Sequence, residues 1–476
     1  MNKKIVNGFI WRVLERFGAH GITFIVSLIL ARLLDPNTYG LVALVTVITS
    51  ILQVFVESGL GTALIQKKDA DDIDFSTVFY VNLATGIVLY LILFISASLI
   101  ADFYKQSDLV LIIRVLGTVV IIAGAKNVQQ AYVSRTLQFK KFFYATLVGT
   151  VGAGIIGVFL AYNGFGVWAL VTQYVFNILL DTIMLWIIVP WRPKILFSVT
   201  RLKKLYSFGW KLLVSALLDQ TWTQLRQLII GVKYSARDLA YYNKGHEFPQ
   251  YATAAINGSI DSVLLPIMSR RQDNKEAVRN MTRLAIKITS YLMWPAMLGL
   301  AACAEPIITI LVTDKWLFAV PYLRIFCITY GFYPIHTANL NAIRALGRSD
   351  IFLKLEIIKK IVCFIIIIIS MWFGVYIMAL STIIGSALSQ MINAWPNKKL
   401  LNYSYIDQIK DILPAICLAV LMSAAVYPIQ LIGLSDIVTL SIQVLLGISI
   451  YIVGSMMFHL ESFEYLVKLI KSYVKK

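Results

Sequence analysis

The sequence predicts an all-α polytopic membrane protein with fourteen transmembrane helices, and three observations carry that reading. Apolar residues make up 59% of the 476-residue chain and charged residues only 14%, whereas a soluble domain is nearer half apolar and a quarter charged. The apolar content is gathered into blocks of roughly 20 residues, the length that crosses a ~30 Å hydrocarbon core. The 43 Lys and Arg residues fall very unevenly between alternate loops. Lipid offers the backbone no hydrogen-bond partner, so each block must be a helix or a strand of a closed barrel. Barrel strands alternate in polarity, and runs such as Phe364–Met371 (FIIIIISM) do not.

In chain order the expected spans are Phe9–Leu34, Tyr39–Val56, Phe75–Ala101, Leu109–Ala125, Phe142–Tyr162 and Val167–Val189. The second half supplies Phe208–Val232, Pro249–Met268, Leu284–Ala304, Phe318–Ala342, Ile351–Phe373 and Val375–Trp395. Ile412–Ile429 and Ile437–Met457 close the series. The fourth is short and carries Arg114, and the seventh is polar. Lys3 and Lys4 precede an apolar segment that runs past Leu30, longer than a signal-peptide core, so it reads as the first membrane helix.

Positive charge resists translocation, so basic loops stay in the cytoplasm. With the N-terminus inside, only Arg32, Lys105, Lys233, Arg237, Lys244 and Lys315 fall on the outside. Arg114, Lys211, Arg226, Lys287 and Arg324 fall within spans, and all other Lys and Arg residues lie on the cytoplasmic side. Both termini are then expected in the cytoplasm of a bacterial cell, with the chain in its cytoplasmic (inner) membrane. This distribution accounts for the net charge of +18 without nucleic acid. The acidic run Asp69–Asp74 reads as a solvated cytoplasmic loop.

The halves repeat weakly at an offset near 200 residues. Trp11-Arg12 corresponds to Trp210-Lys211, LDPNTYGL at Leu34–Leu41 to YSARDLAY at Tyr234–Tyr241, and Leu64-Ile65 to Leu264-Leu265. The expected organisation is two six-helix lobes, residues 1–200 (helices 1–6) and 201–400 (helices 7–12), related by a pseudo-twofold along the membrane normal. Residues 401–476 hold helices 13–14 and a cytoplasmic tail.

A charge near mid-bilayer costs roughly 2.5–3.5 kcal/mol on insertion scales, so charged residues in spans tend to face a cavity. The first span carries Arg12, Glu15, Arg16, His20, Thr23 and Ser27 at helical spacing, and the seventh carries Lys211, Asp219 and Arg226 on one side. Gln173, Asn177 and Asp181 line up on the sixth span, and Asn257 and Asp261 lie on the eighth. These residues predict a wet, net basic cavity for an anionic substrate. Arg12, Arg16, Lys211 and Arg226 are the first candidates for contact, with Arg114, Lys287 and Arg324 behind them. Asp219, Asp181 and Asp261 are candidates for coupling to protons or sodium. The competing reading is that these charges pair among themselves and only orient helices.

Cys303, Cys327, Cys363 and Cys417 lie in apolar segments with no CxxC pair, and the four histidines have no metal-ligand spacing, so neither a disulfide nor a metal site is expected. No cofactor is expected either. A phosphate-binding GxxxxGK[ST] loop is absent, as are GxSxG and HExxH, which points away from an enzyme and from an ATPase.

The run Leu30–Leu44 (LARLLDPNTYGLVAL), followed by Ser58–Lys68 (SGLGTALIQKK), resembles the polysaccharide-transporter branch of the multidrug/oligosaccharidyl-lipid/polysaccharide exporter superfamily. Gly164–Gln173 (GFGVWALVTQ), Arg192–Leu196 (RPKIL), Phe208-Gly209-Trp210 and Leu340–Lys354 (LNAIRALGRSDIFLK) extend the likeness over roughly residues 5–400. Among members of that branch, Wzx-type, colanic-acid-exporter-like flippases are the most similar. The resemblance implies fourteen helices in two lobes and alternating access. It also implies translocation of an undecaprenyl-pyrophosphate-linked oligosaccharide, with membrane lipids and polysaccharide polymerase or export proteins as partners. Two other readings compete: an ion-coupled multidrug or cation antiporter, which would want an unpaired carboxylate in an apolar pocket, and a membrane glycan polymerase or ligase, which would want a large outside loop.

Overall fold

The computed structural model describes residues 3–57 and 59–474; the side chains of residues 3–10, 12–17, 255, 257–263, 469–470 and 472–474 lie outside the described set. Every regular element among the described residues is helical. By length and composition nine of these helices can cross a membrane, which makes the chain a polytopic α-helical membrane protein. It divides into two compact units, Met1–Ala240 and Tyr241–Lys476, each described by itself.

The first unit holds α1 (Lys3–Leu33), α2 (Pro36–Glu57), α3 (Leu60–Gln66), α4 (Asp72–Phe103), α5 (Leu109–Arg135), α6 (Lys140–Tyr162), α7 (Val167–Ile188) and α8 (Val199–Lys233). The second holds most of α9 (Ala236–Ser269), then α10 (Lys275–Ala302), α11 (Ala304–Val312), α12 (Val320–Gly331), α13 (Tyr333–Ala345) and α14 (Ser349–Ser370). It continues with α15 (Val375–Leu400), α16 (Tyr405–Val426), α17 (Asp436–Met457) and α18 (Glu461–Val474).

The expected spans that fall outside the nine lie on α1, α8, α9, α12–α13 and α14. For α8, α9 and α14 polarity is the reason, α14 carrying Asp350, Lys354, Glu356, Lys359 and Lys360 and α8 carrying Lys203, Lys204, Lys211, Asp219 and Arg226; α12 and α13 are short, at 12 and 13 residues, and the apolar part of α1 among the described residues is the short stretch Gly18–Leu33. Several helices overrun the expected spans, α8 starting at Val199, α9 at Ala236 and α10 at Lys275. The fourth span does not stop at Ala125, because α5 runs on for another ten residues to Arg135. The tenth is two helices, broken at Phe332, where Pro334 sits in the first turn of α13; proline lacks an N–H and disfavours helix in the residue before it.

Small residues set the helix spacing in the first unit. A Cβ added to Gly149 of α6 would lie 2.8 Å from the Asn177 carbonyl oxygen and 3.0 Å from the Asp181 Cβ of α7. A Cβ on Gly124 of α5 would lie 2.8 Å from the Asn82 carbonyl oxygen of α4. Glycine therefore lets these backbones touch, as it does wherever membrane helices associate closely. The core beside them is formed by Phe75, Val78, Val128, Leu185 and Trp191. In the second unit one core gathers Met268, Ile286, Ile335 and Ile412, and another gathers Tyr291, Trp294, Leu418, Met422 and Tyr451.

The acidic run is only partly a solvated loop: Asp69 and Asp71 are exposed, but Asp74 is buried and the run is tied to neighbouring helices. Asp71 caps α4, its carboxylate accepting from the backbone N–H groups of Ile73 and Asp74 at 3.1 Å each. Arg201 of α8 reaches Asp71 at 2.5 Å and Asp74 at 3.3 Å. Asp74 is fully buried and also pairs with Lys67 at 2.5 Å. Arg135 closes the far side of the same loop, donating to the carbonyls of Leu64 at 2.8 Å, Lys68 at 2.6 Å, and Lys67. The run is a clasp joining α3, α4, α5 and α8, because three cations from distant positions converge on it and on the carbonyls of its approach.

Candidate functional site

Beside the Gly149 contact, α2, α3, α5, α6 and α7 enclose a polar hollow of about 280 Å³ lined by Glu57, Thr62, Asn127, Gln130, Ser134 and Asp181 among others. Asp181 stands on α7 one helical face along from Gln173 and Asn177. Its Oδ2 lies 2.9 Å from the Nζ of Lys126 on α5, and the two side chains are only 14% and 12% exposed. Next to Lys126, the Asn127 amide donates to the Glu57 carbonyl at 2.8 Å and its oxygen accepts from Asn82 at 3.0 Å. That pair of bonds fixes the end of α2 against α5. The Glu57 carboxylate in turn lies within electrostatic range of both Lys126 and Asp181. Lys126 and Asp181 thus form a mostly buried ion pair beside the hollow, with the exposed Glu57 residue near them at the end of α2. At about 30 Å³ per water the hollow holds roughly nine waters or a hydrated ion, too little for an oligosaccharide.

The other candidate residues are dispersed. Arg12 and Arg16 on α1, and Asp261 on α9, have side chains outside the described residues. Lys211 and Asp219 lie on the exposed face of α8 and Arg226 is half-buried on the same helix. Arg114 on α5 packs its guanidinium 4.4 Å from the Phe94 ring centroid, with its Nε buried and unbonded. Lys287 on α10 is paired with Asp411 at 3.2 Å and Glu461 at 2.5 Å. Arg324 on α12 pairs with Glu305 at 2.9 Å and stacks over the Tyr427 ring. Of the seven candidates whose side chains are described, Asp181 is the one that lines the polar hollow, and its partner is a residue assigned to a cytoplasmic loop on sequence grounds. Lys126 and Glu57 were missed because the fourth span was ended at Ala125 and the second at Val56. The signal was present: from Lys126 to Arg135 there is no proline or glycine to stop a helix.

Outside the spans, electrostatics follow geometry. The hydrogen bond from Lys287 holds the Glu461 carboxyl below the ordinary carboxylate value. Burial works against ionisation of Asp71, but Arg201 and the two backbone N–H groups outweigh it and hold that carboxyl low as well.

Fold and site together define a multi-span helical membrane protein with a polar hollow beside a mostly buried ion pair. The chain belongs to the polysaccharide biosynthesis protein family, whose model matches residues 29–321. The succinoglycan biosynthesis transport protein ExoT of Rhizobium meliloti is 23% identical to it, covering 75% of this chain and 73% of that protein. The lipopolysaccharide biosynthesis protein WzxC of Escherichia coli strain K12 is 21% identical over 83% of this chain and 80% of its own. Among solved structures, the lipid II flippase MurJ in an inward closed conformation superposes with a TM-score of 0.76 at 16% identity, over 94% of this chain and 99% of that one. The resemblance to the polysaccharide-transporter branch therefore holds, and the MurJ likeness concerns the fold.

Proposed function

We propose that this protein carries a polyprenyl-pyrophosphate-linked oligosaccharide, a repeat unit of a surface polysaccharide, from the inner to the outer leaflet of the bacterial cytoplasmic membrane. The family match over residues 29–321, with relatives named for polysaccharide transport and lipopolysaccharide biosynthesis, carries this reading. It is a carrier and not an enzyme, has fourteen spans in two repeated halves, and keeps both termini in the cytoplasm. Arg12 and Arg16 of α1 and Lys211 and Arg226 of α8 contact the anionic head group, alternately from each side of the membrane. The Lys126–Asp181 pair with Glu57 supplies the coupling step, taking up a proton or sodium ion when Asp181 exchanges its counter-ion. A glycan polymerase or other export protein takes the product on the outer side.

Deletion of the gene from its parent bacterium tests this reading. Lipid-linked repeat units should accumulate in the cytoplasmic membrane, out of reach of glycosidases added to the periplasm. Loss of the repeat unit itself, without accumulation, would assign the protein to synthesis instead of transport.

A further inference from the structure

The second unit holds a crevice that the transport reading does not use. Between α10, α16, the end of α17 and the start of α18 lies a hollow of about 510 Å³. One wall is charged. Arg283 grips Asp411 through two bonds of 2.7 Å, Lys287 bridges Asp411 and Glu461, and Lys410 stands exposed beside them. Asp411 is further satisfied by the Tyr403 hydroxyl at 2.8 Å. Three cations therefore face two carboxylates, and Arg283 is half exposed with donors to spare. The rest of the lining includes open apolar surface: Leu421 is 59% and Phe458 64% exposed, and Cys417 is exposed too. Along the same three helices α10, α16 and α17, a second hollow of about 460 Å³ is lined almost wholly by apolar side chains, among them Met422, Gly447 and Tyr451.

From Asp411 to Met422 is eleven residues, about 16 Å of helix. That is roughly half of a ~30 Å hydrocarbon core, or one leaflet. A recess in which three cations face two carboxylates, with an apolar hollow along the same helices, matches an amphiphile with an anionic phosphate head and apolar chains. We infer that this crevice is a binding site for an anionic phospholipid of the bilayer, its phosphate on Arg283, Lys287 and Lys410 and its chains over Leu418, Leu421 and Met422. A long polyprenyl chain would overrun one leaflet, which is why the occupant is assigned as a glycerophospholipid. The inference stands apart from the transport reading and does not depend on it.

The test is native mass spectrometry and thermal melting of the delipidated full-length protein. Four probes are compared: phosphatidylglycerol, phosphatidylcholine with the same chains, undecaprenyl pyrophosphate, and inorganic phosphate. Phosphatidylglycerol should bind saturably and raise the melting temperature, while phosphatidylcholine and phosphate should not. Lys410→Gln, which breaks no ion pair shown here, should weaken phosphatidylglycerol roughly tenfold. Leu421→Trp, which fills the mouth and leaves every charge in place, should weaken it too. Equal binding of the two phospholipids, retention of affinity in both variants, or binding by inorganic phosphate alone would overturn the proposal. Displacement of phosphatidylglycerol by a smaller amount of undecaprenyl pyrophosphate would also overturn it, by handing the crevice to a polyprenyl ligand.

Discussion

At the scale of single residues, the cost of charge in a low-dielectric setting decides what each ionisable group can do. Lys126 and Asp181 are mostly buried and pair with each other, so removing one leaves the other without its compensating charge, at a cost of about 3–5 kcal/mol. Asp181→Asn should therefore lower both stability and gradient-driven transport, whereas Lys126→Gln/Asp181→Asn should recover stability and still fail to couple. Transport into proteoliposomes under an imposed proton or sodium gradient checks this. A single Asp181→Asn variant that responds normally to the gradient would make the pair purely structural. Sequence inspection singled out Asp181 by its spacing from Gln173 and Asn177. The sequence could place Lys126 on a longer helix but not its partner, because pairing across 55 residues is a tertiary fact that helical spacing does not encode. Lys287 and Arg324 illustrate the converse: both were legible as charges within spans, but only the fold shows them paired with Asp411, Glu461 and Glu305.

At the scale of elements, hydropathy located the helices well and their ends poorly. Apolar blocks report where lipid lies, whereas helices continue into polar sequence until a breaker or a cap stops them, as α5 does past Lys126. The acidic run before α4 was misread for a related reason. Six residues rich in Asp look solvated until Lys67, Arg135 and Arg201 arrive from separate elements. The clasp carries a pH signature. Asp71 has a folded pKa below its ordinary value, so its contribution is fully present above about pH 4 and is lost as pH falls through the lower folded value. Asn caps a helix about as well as Asp, so melting of the wild type and of Asp71→Asn in detergent should differ at pH 7 by the charge contribution alone, about 0.2–1 kcal/mol for a half-exposed pair with Arg201. The difference should shrink as pH falls below about 4. A difference that stays constant over this range would mean that Asp71 acts without its charge.

At the scale of the whole molecule, the distribution of Lys and Arg makes a claim about orientation that the helix list does not. If fourteen helices cross the membrane, the chain returns to its starting side. Reporter fusions at Lys204, Gln272 and Lys476 should then all signal cytoplasm, and one at Asn163 the periplasm. A periplasmic signal at Lys476 would require an odd number of crossings. The overall class was legible from composition, because so large an apolar fraction in helix-length blocks has no soluble solution. The family was legible from the LARLLDPNTYG and SGLGTALIQKK runs. The polar hollow was not, because it draws on five helices whose apposition depends on glycines such as Gly149 being read as contacts instead of breaks.

The central claim is movement of a lipid-linked glycan across the bilayer, and reconstitution measures it directly. Purified protein in liposomes, loaded with a fluorescent undecaprenyl-pyrophosphate-linked oligosaccharide, should make inner-leaflet substrate accessible to an impermeant quencher within minutes, faster still under a cation gradient. Arg226→Ala should slow this strongly, and Arg226→Lys less so if charge alone is required. Quenching no faster than in protein-free liposomes, with the protein folded and its substrate bound, would contradict the account.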